Sequence, residues 1–197
     1  MFRGLALRSF TVSFLIFFAV VVVVRIRVFR CRGDHEEGIL SDNWTFPVIF
    51  ASYVFVVMAG LAEFFYRSPE VNLWVSGTGY SLAIAGVVTT RRCVLTLGPW
   101  WSIRIEIKKD HRVVDKGPYR FCRHPYYLAT LLELGGFCLI LNSYRALLYF
   151  IFVHIPCVVA RIFSEERVLA ATLGARYLDY QERVRILPFP ISFTRNG

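Results

Sequence analysis

Ser9 to Val24 is a run of apolar and small residues without a charge, closed by Arg25, Arg27, Arg30 and Arg32. The same pattern recurs from Trp44 to Ala62, bounded by Glu63, and from Val71 to Thr90, bounded by Arg91 and Arg92. Uncharged runs of nearly twenty residues match a hydrocarbon core about 30 Å thick, so each predicts a membrane-spanning helix. Pro47 falls in the first turn of the second run, where its missing N–H removes no helical hydrogen bond. Arginines rather than a small-residue cleavage site follow the first run, which reads as a retained span and not a signal peptide. Leu128 to Leu141 and Ala146 to Ala160 are shorter apolar stretches joined around Asn142-Ser143-Tyr144-Arg145, a connection short enough to dictate an antiparallel helical hairpin. The expected fold is an all-α integral membrane protein with about five transmembrane helices. Residues 1–90 supply three of them, and 91–197 supply a loop, the hairpin and a tail within the same structural domain.

Composition supports this reading: 56% of the 197 residues are hydrophobic and 19% charged, a balance outside that of soluble globular chains. A net charge of +9 would suggest nucleic acid in a soluble protein. Here the basic residues sit between apolar blocks, so lipid headgroups and an anionic ligand are the expected partners and nucleic acid is not. The segments after the first and third blocks and the tail hold 4, 9 and 6 of the 23 Lys and Arg residues, against 2, 1 and 1 elsewhere. The positive-inside rule then places the long loop and the tail together on the cytosolic face, with the N-terminus outside. The five cysteines show no Cys-x-x-Cys spacing, so neither a disulfide framework nor a metal site is expected.

Candidate chemistry concentrates in two motifs. The first is Lys116-Gly117-Pro118-Tyr119-Arg120-Phe121-Cys122-Arg123-His124-Pro125-Tyr126-Tyr127, a turn that crowds tyrosines, arginines and a histidine at the mouth of an apolar helix. A juxtamembrane aromatic belt explains Tyr and Arg in general, but not Arg-His-Pro followed by tyrosines at a helix start. The second is Arg161-x-x-x-Glu165-Glu166, followed by Leu173-Gly174-x-x-Tyr177-x-x-Tyr180 and Leu187-Pro188-Phe189. Arg161 and Glu165, four apart, share a helical face and taken alone read first as a plain ion pair. Gly174 is placed to end that helix, and Tyr177 to Val184 to form a short amphipathic segment on the membrane surface. Glu133 and His154 fall within the hairpin, and ionisable groups at membrane depth face the protein interior or a cavity.

Together these motifs resemble the isoprenylcysteine carboxyl methyltransferase family, within the wider group of membrane methyltransferases that includes the phospholipid N-methyltransferases. The resemblance runs from His111 to Phe189, through Gly117-x-Tyr119, Arg123-His124-Pro125-x-Tyr127, Glu165-Glu166 and Gly174-x-x-Tyr177-x-x-Tyr180; Ala129 stands where the family often has Gly. It implies an S-adenosylmethionine pocket at the cytosolic end of the last two helices, roofed by the loop and the tail. The implied cofactor contacts are His111, Arg112, Val113, Val114, Tyr119, His124, Pro125, Tyr126, Tyr127 and Glu165, with Arg104 at the edge of the match. Arg161 is implied to face the methyl acceptor. A second family, the membrane sterol reductases, shares Arg-His-Pro-x-Tyr and would take a nicotinamide cofactor, but it usually carries Asn where this chain has Tyr126.

The residue types suit these roles independently. Tyrosine faces stack on adenine or a sulfonium cation, and a carboxylate at Glu165 accepts from ribose hydroxyls while His124 and backbone N–H groups hold a carboxylate. A carboxylate acceptor, with a reference pKa of about 3.5, needs no base, and Arg161 would neutralise and orient it. An amine or thiol acceptor would need a base, for which Glu133 and His154 are the candidates within the membrane. The acceptor is expected to be lipophilic, prenylcysteine-like, and to enter from the bilayer. The membrane is expected to be the endoplasmic reticulum in a eukaryote or the inner membrane in a bacterium.

Overall fold

Every apolar run is helical in the computed structural model, which describes residues 2–30, 39–40, 44–67, 71–102, 106–107 and 112–186. The first helix, α1 (Phe2–Arg30), is uncharged on all sides from Ser9 to Val24, as a span between lipid and protein must be. Val12, Ile16, Val20 and Val23 remain exposed on one side. Phe10, Phe14, Phe17 and Phe18 turn inward. Phe14 lies 6.4 Å from Phe64 of α2 (Thr45–Arg67) and 5.9 Å from Phe137 of α4 (Pro125–Ile140). Phe17 meets Tyr80 of α3 (Leu73–Leu97) edge-on at 5.0 Å.

The Asn72 side chain caps α3 by accepting from the N–H groups of Trp74 and Val75. The helix continues past Thr90 to Leu97 with Arg91 and Arg92 exposed, because charges end a membrane block without ending a helix. α3 and α4 form the tightest pairing. A Cβ on Gly79 would lie 2.5 Å from the Ile140 nitrogen, and one on Gly136 would lie 2.7 Å from the Gly79 oxygen. Small residues that let backbones touch are the usual basis of helix association in lipid. Ala129, the departure noted above, is fully buried, and its carbonyl would lie 2.6 Å from a Cβ on Gly86.

The hairpin turns where expected. Asn142 takes a left-handed conformation (φ 53°), which Asn tolerates; its amide donates to Ser76 Oγ at 2.8 Å, and its oxygen accepts from the Asn72 N–H at 3.0 Å. Glu63, one turn before the end of α2, accepts from the N–H groups of Arg145 and Ala146, supplying the cap that α5 (Tyr144–Tyr149) lacks at Ser143. A widened π turn at Phe150–His154 joins α5 to α6 (Ile155–Leu173). Pro156 has no N–H for the Phe152 carbonyl, and its ring crowds it, so the helix widens just upstream.

Four stretches among the described residues are long and apolar enough to cross a bilayer: Ser9–Arg27, Thr45–Tyr66, Leu73–Trp100 and Tyr144–Leu173. The chain is a multi-pass integral membrane protein. α4 is apolar but has 16 residues, about 24 Å of helix and shorter than the core of a bilayer. Gly174 (φ 56°) ends α6, and α7 (Ala175–Arg183) follows. The apolar side of α7 is not spread on the membrane surface, contrary to the expectation for Tyr177 to Val184. Tyr177, Tyr180 and Val184 are buried against Val113, Leu169, Ala170 and Leu173, because the phenols have partners there. Ile39–Leu40 (β1) and Glu106–Ile107 (β2) form a two-residue antiparallel pair, Ile39 opposite Ile107, which ties the connections after α1 and α3 together at one end of the bundle.

Close backbone contact makes the first prediction. Gly79→Val and Gly136→Val should each destabilise the detergent-solubilised protein by about 1–3 kcal/mol or more, read as a lowered Tm. Gly77→Val, with nothing within 4 Å of its Cβ, should leave Tm within error.

Candidate active site

At the end of the bundle that carries the β pair, Gly117 (φ 55°) turns the chain close over Thr96, and a 3-10 turn at Gly117–Arg120 leads into Arg123-His124-Pro125. Pro125 occupies the first position of α4, where a missing N–H is harmless. The motif therefore arrives at the helix with Arg123 and His124 pointing toward α6.

There they meet Glu166. Its carboxylate accepts from Arg123 Nε at 3.0 Å and Nη2 at 2.8 Å, from Tyr177 at 2.8 Å and from Gln181 at 2.8 Å, and pairs with His124 Nε2 at 2.6 Å. Arg123 Nη1 reaches on to the Gln181 and Val184 carbonyls at 3.0 and 2.5 Å. The backbone N–H groups of Arg123 and His124 donate to the Arg185 and Ile186 carbonyls, and Tyr180 donates to the Tyr119 carbonyl at 2.6 Å. A buried carboxylate is tolerated where donors saturate it. Burial, and for Tyr177 the facing Glu166 charge, push the Tyr177 and Tyr180 phenols above their ordinary values, so both remain donors at neutral pH. The loop motif and the tail are thus clamped through one side chain.

Glu165 points elsewhere. The Tyr127 hydroxyl donates to Glu165 Oε2 at 2.7 Å and accepts from Arg161 Nε at 3.0 Å, while Arg161 Nη1 donates to Thr45 Oγ1 at 2.7 Å. Arg161 is 2% exposed and lies 5.9 Å from the Phe46 ring. Arg161 and Glu165 are therefore not a surface ion pair: Tyr127 stands between them, because α4 packs where solvent would be. On the other side of the motif, Arg25 of α1 donates to the Tyr126 hydroxyl at 3.2 Å and forms an ion pair with Glu133.

These groups wall a cavity of about 520 Å³. Of the residues expected from sequence, Arg112, Val113, Val114, Tyr119, His124, Tyr126, Tyr127, Arg161 and Glu165 all line it. Pro125 is buried behind it as the helix start. Glu133 sits behind the wall, held by Arg25, and His154 lines the cavity with Nδ1 2.8 Å from Ser52 Oγ. His111 and Arg104, like Leu187-Pro188-Phe189, lie outside the described residues. Arg25, Arg123 and Trp101 also line the cavity but are not among the contacts the resemblance implies, although Arg123 belongs to its motif. Arg25 carried a signal: Phe14, Phe18, Val21 and Arg25 recur at spacings of four and three, one stripe of a helix.

A helical membrane bundle with a ligand-sized, polar-ended cavity under a basic aromatic loop is the class this geometry defines. A family model for the isoprenylcysteine carboxyl methyltransferase (ICMT) family matches residues 79–171. Protein-S-isoprenylcysteine O-methyltransferase of Saccharomyces cerevisiae is 30% identical over 166 residues, which cover 79% of this chain and 68% of the yeast protein. Protein-S-isoprenylcysteine O-methyltransferase B of Arabidopsis thaliana is 27% identical over 132 residues, 65% of this chain and 66% of the plant protein. A solved structure of the eukaryotic intramembrane Ras methyltransferase ICMT shares the fold, with a TM-score of 0.59 at 24% identity, over 77% of this chain and 55% of that one. The chain belongs to the ICMT family. It spans about two thirds of the length of the yeast and plant relatives.

The clamp predicts unequal effects for two arginines. Arg123→Ala leaves Glu166 buried without its main cation and should cost about 3–5 kcal/mol, with protease cleavage appearing near residues 184–186. Arg183→Ala removes pairs to Asp115 and Asp179 that are half-exposed, and should cost under about 1 kcal/mol with an unchanged digestion pattern.

Proposed function

We propose that this chain is an S-adenosylmethionine-dependent methyltransferase that methylates the carboxylate of a lipophilic, prenylcysteine-like acceptor. The observation that carries the reading is the meeting, in one cavity, of Arg161 and Glu165 bridged by Tyr127 with an apolar arm that reaches the outside of the bundle. Val22 and Ile26 of α1 and Phe50 of α2 line that cavity and are also exposed on the lipid-facing surface. A hydrophobic acceptor can then enter from the bilayer without crossing water.

The donor set fits the cofactor. Tyr119, Tyr126 and Tyr127 offer aromatic faces for adenine and for a sulfonium, Glu165 offers a carboxylate to ribose hydroxyls, and Arg112 a cation to the amino-acid carboxylate. His124 has its Nε2 committed to Glu166, which makes it part of the wall rather than a free donor there. The cofactor, when bound, supplies an electrophilic methyl group. Arg161, oriented by Tyr127 and Thr45, neutralises and aims the acceptor carboxylate, which is ionised at neutral pH and needs no base. What the protein contributes is alignment for an in-line displacement in a site with little water. In this reading Glu133 serves by fixing Arg25, and so Tyr126.

Calorimetric titration of the solubilised protein should show binding of S-adenosylhomocysteine and none of NADPH; binding of NADPH alone would replace this reading with the reductase. Glu165→Ala should lose S-adenosylhomocysteine binding. Arg161→Ala should keep it and lose methyl transfer by about 10- to 100-fold, the worth of one charge-assisted contact. Wild-type turnover in both variants would contradict the assignment.

The loop and the tail are proposed to face the cytosol, of the endoplasmic reticulum in a eukaryote or of the inner membrane in a bacterium. The support is the charge asymmetry of the connections. Cysteines introduced at the exposed positions Lys116 and Arg176 should both be labelled by an impermeant reagent only after the membrane is opened. Labelling in intact cells would reverse the orientation.

A further inference from the structure

Two arginines near the end of the first span have opposite fates. Arg27 is exposed, as a flanking arginine is when it extends toward water, whereas Arg25 is drawn inward until its side chain is 16% exposed. Its guanidinium donates twice, from Nη2 to Glu133 of α4 and from Nη1 to the Tyr126 hydroxyl at 3.2 Å. Glu133 Oε1 is buried without a partner, so among the described residues that carboxylate relies on Arg25.

A buried ion pair is a poor source of stability, and two packed apolar side chains would join α1 to α4 as well. What they would not supply is the second N–H, which the planar guanidinium fork directs at the phenol while the first is held by the carboxylate. Tyr126 lines the cavity, with its ring edge-on to Trp101 at 6.2 Å and to Tyr127 at 6.0 Å. Trp101 packs in turn with Val94 of α3 and with Val24, the residue before Arg25. The two rings limit the tilt of Tyr126, and Arg25 fixes its hydroxyl end. α1 thus reaches this tyrosine twice, although it lies outside both motifs.

We propose that Arg25 is a positioning residue for the methyl donor: with Glu133 as its counter-charge, it holds the Tyr126 ring in the orientation that receives S-adenosylmethionine, and the first span is part of the cofactor site. This rests on the reading that the cavity takes that cofactor. Both terminal nitrogens of Arg25 are committed to protein groups, so it acts through Tyr126 rather than on a reactant.

The test uses the full chain in phosphatidylcholine nanodiscs and reads the ligand-free Tm and the affinities for S-adenosylhomocysteine and N-acetyl-S-farnesylcysteine. Arg25→Met should lower Tm, because Glu133 keeps a buried charge without its cation, and should weaken S-adenosylhomocysteine about five- to tenfold, the scale of one hydrogen bond. Adding Glu133→Met removes the orphaned charge and should bring Tm back to near the wild-type value, while S-adenosylhomocysteine stays as weak as in the single variant. Tyr126→Phe, which keeps the ring and removes only the hydroxyl, should weaken S-adenosylhomocysteine to the same extent with a smaller drop in Tm than Arg25→Met. The farnesylcysteine probe should bind within about twofold of wild type throughout, since less than half a hydrogen bond is at stake there. If donor affinity returns with Tm in the double variant, or if Tyr126→Phe binds S-adenosylhomocysteine as the wild type does, the pair is only a strut and the proposal falls. It falls also if both ligands weaken alike, the mark of a collapsed wall. Tyr126→Phe decides where the double variant does not fold. A wild type that binds the farnesylcysteine probe and no S-adenosylhomocysteine would overturn the methyl-donor reading itself, and this proposal with it.

Discussion

A single buried carboxylate joins the parts of this molecule that sequence keeps apart. Glu166 gathers donors from Arg123 and His124 at the start of α4 and from Tyr177 and Gln181 on α7. The loop over the cavity and the tail beside it hold their places through that ion and the backbone bonds beyond it. Uncompensated, it would be among the most destabilising groups in the fold; compensated, it makes the roof and the wall of the cavity one unit. Its neighbour Glu165 lies about 100° around the helix and is directed at Tyr127 instead. Two adjacent acids thus divide the work: one closes the site and the other lines it.

Below the clamp, the glycine contacts of α3 and α4 set the depth of the site. Because Gly79, Gly86 and Gly136 allow backbone contact, α4 lies directly against α3, and its first turn carries Tyr126 and Tyr127 into the cavity. α1 and α2 complete the enclosure with mainly apolar side chains, joined by Arg25 and Tyr53. The cavity they border runs from a charged end to a hydrocarbon-like end, and this polarity gradient is what an amphiphilic acceptor requires.

Much of this was legible in the sequence, for physical reasons. The helices are apolar runs bounded by charge, and the hairpin turn rests on an Asn that accepts φ > 0. Nine of the residues named from the resemblance line one cavity, because they lie in contiguous segments whose spacing a helix start and a helix face translate directly. What was not legible depended on partners far away in sequence. Arg25 continues the inward stripe of Phe14, Phe18 and Val21, but what it serves is not readable until Glu133 and Tyr126 are beside it. Arg161 and Glu165 read as neighbours on a helix until Tyr127 comes between them. The amphipathic pattern of α7 says that one side is buried, but not that α6 and the loop, rather than lipid, bury it. The β1–β2 pair is two residues long and carries no period at all.

The central claim is that loop, α6 and tail build one pocket for the methyl donor. Photolabelling with an 8-azidoadenosyl analogue of S-adenosylmethionine, followed by peptide mapping, tests it most directly. Adducts confined to residues 112–127 and 161–180, competed away by S-adenosylhomocysteine, are the predicted result. Competed adducts in the middle of α2 or α3, with none in those two segments, would contradict it.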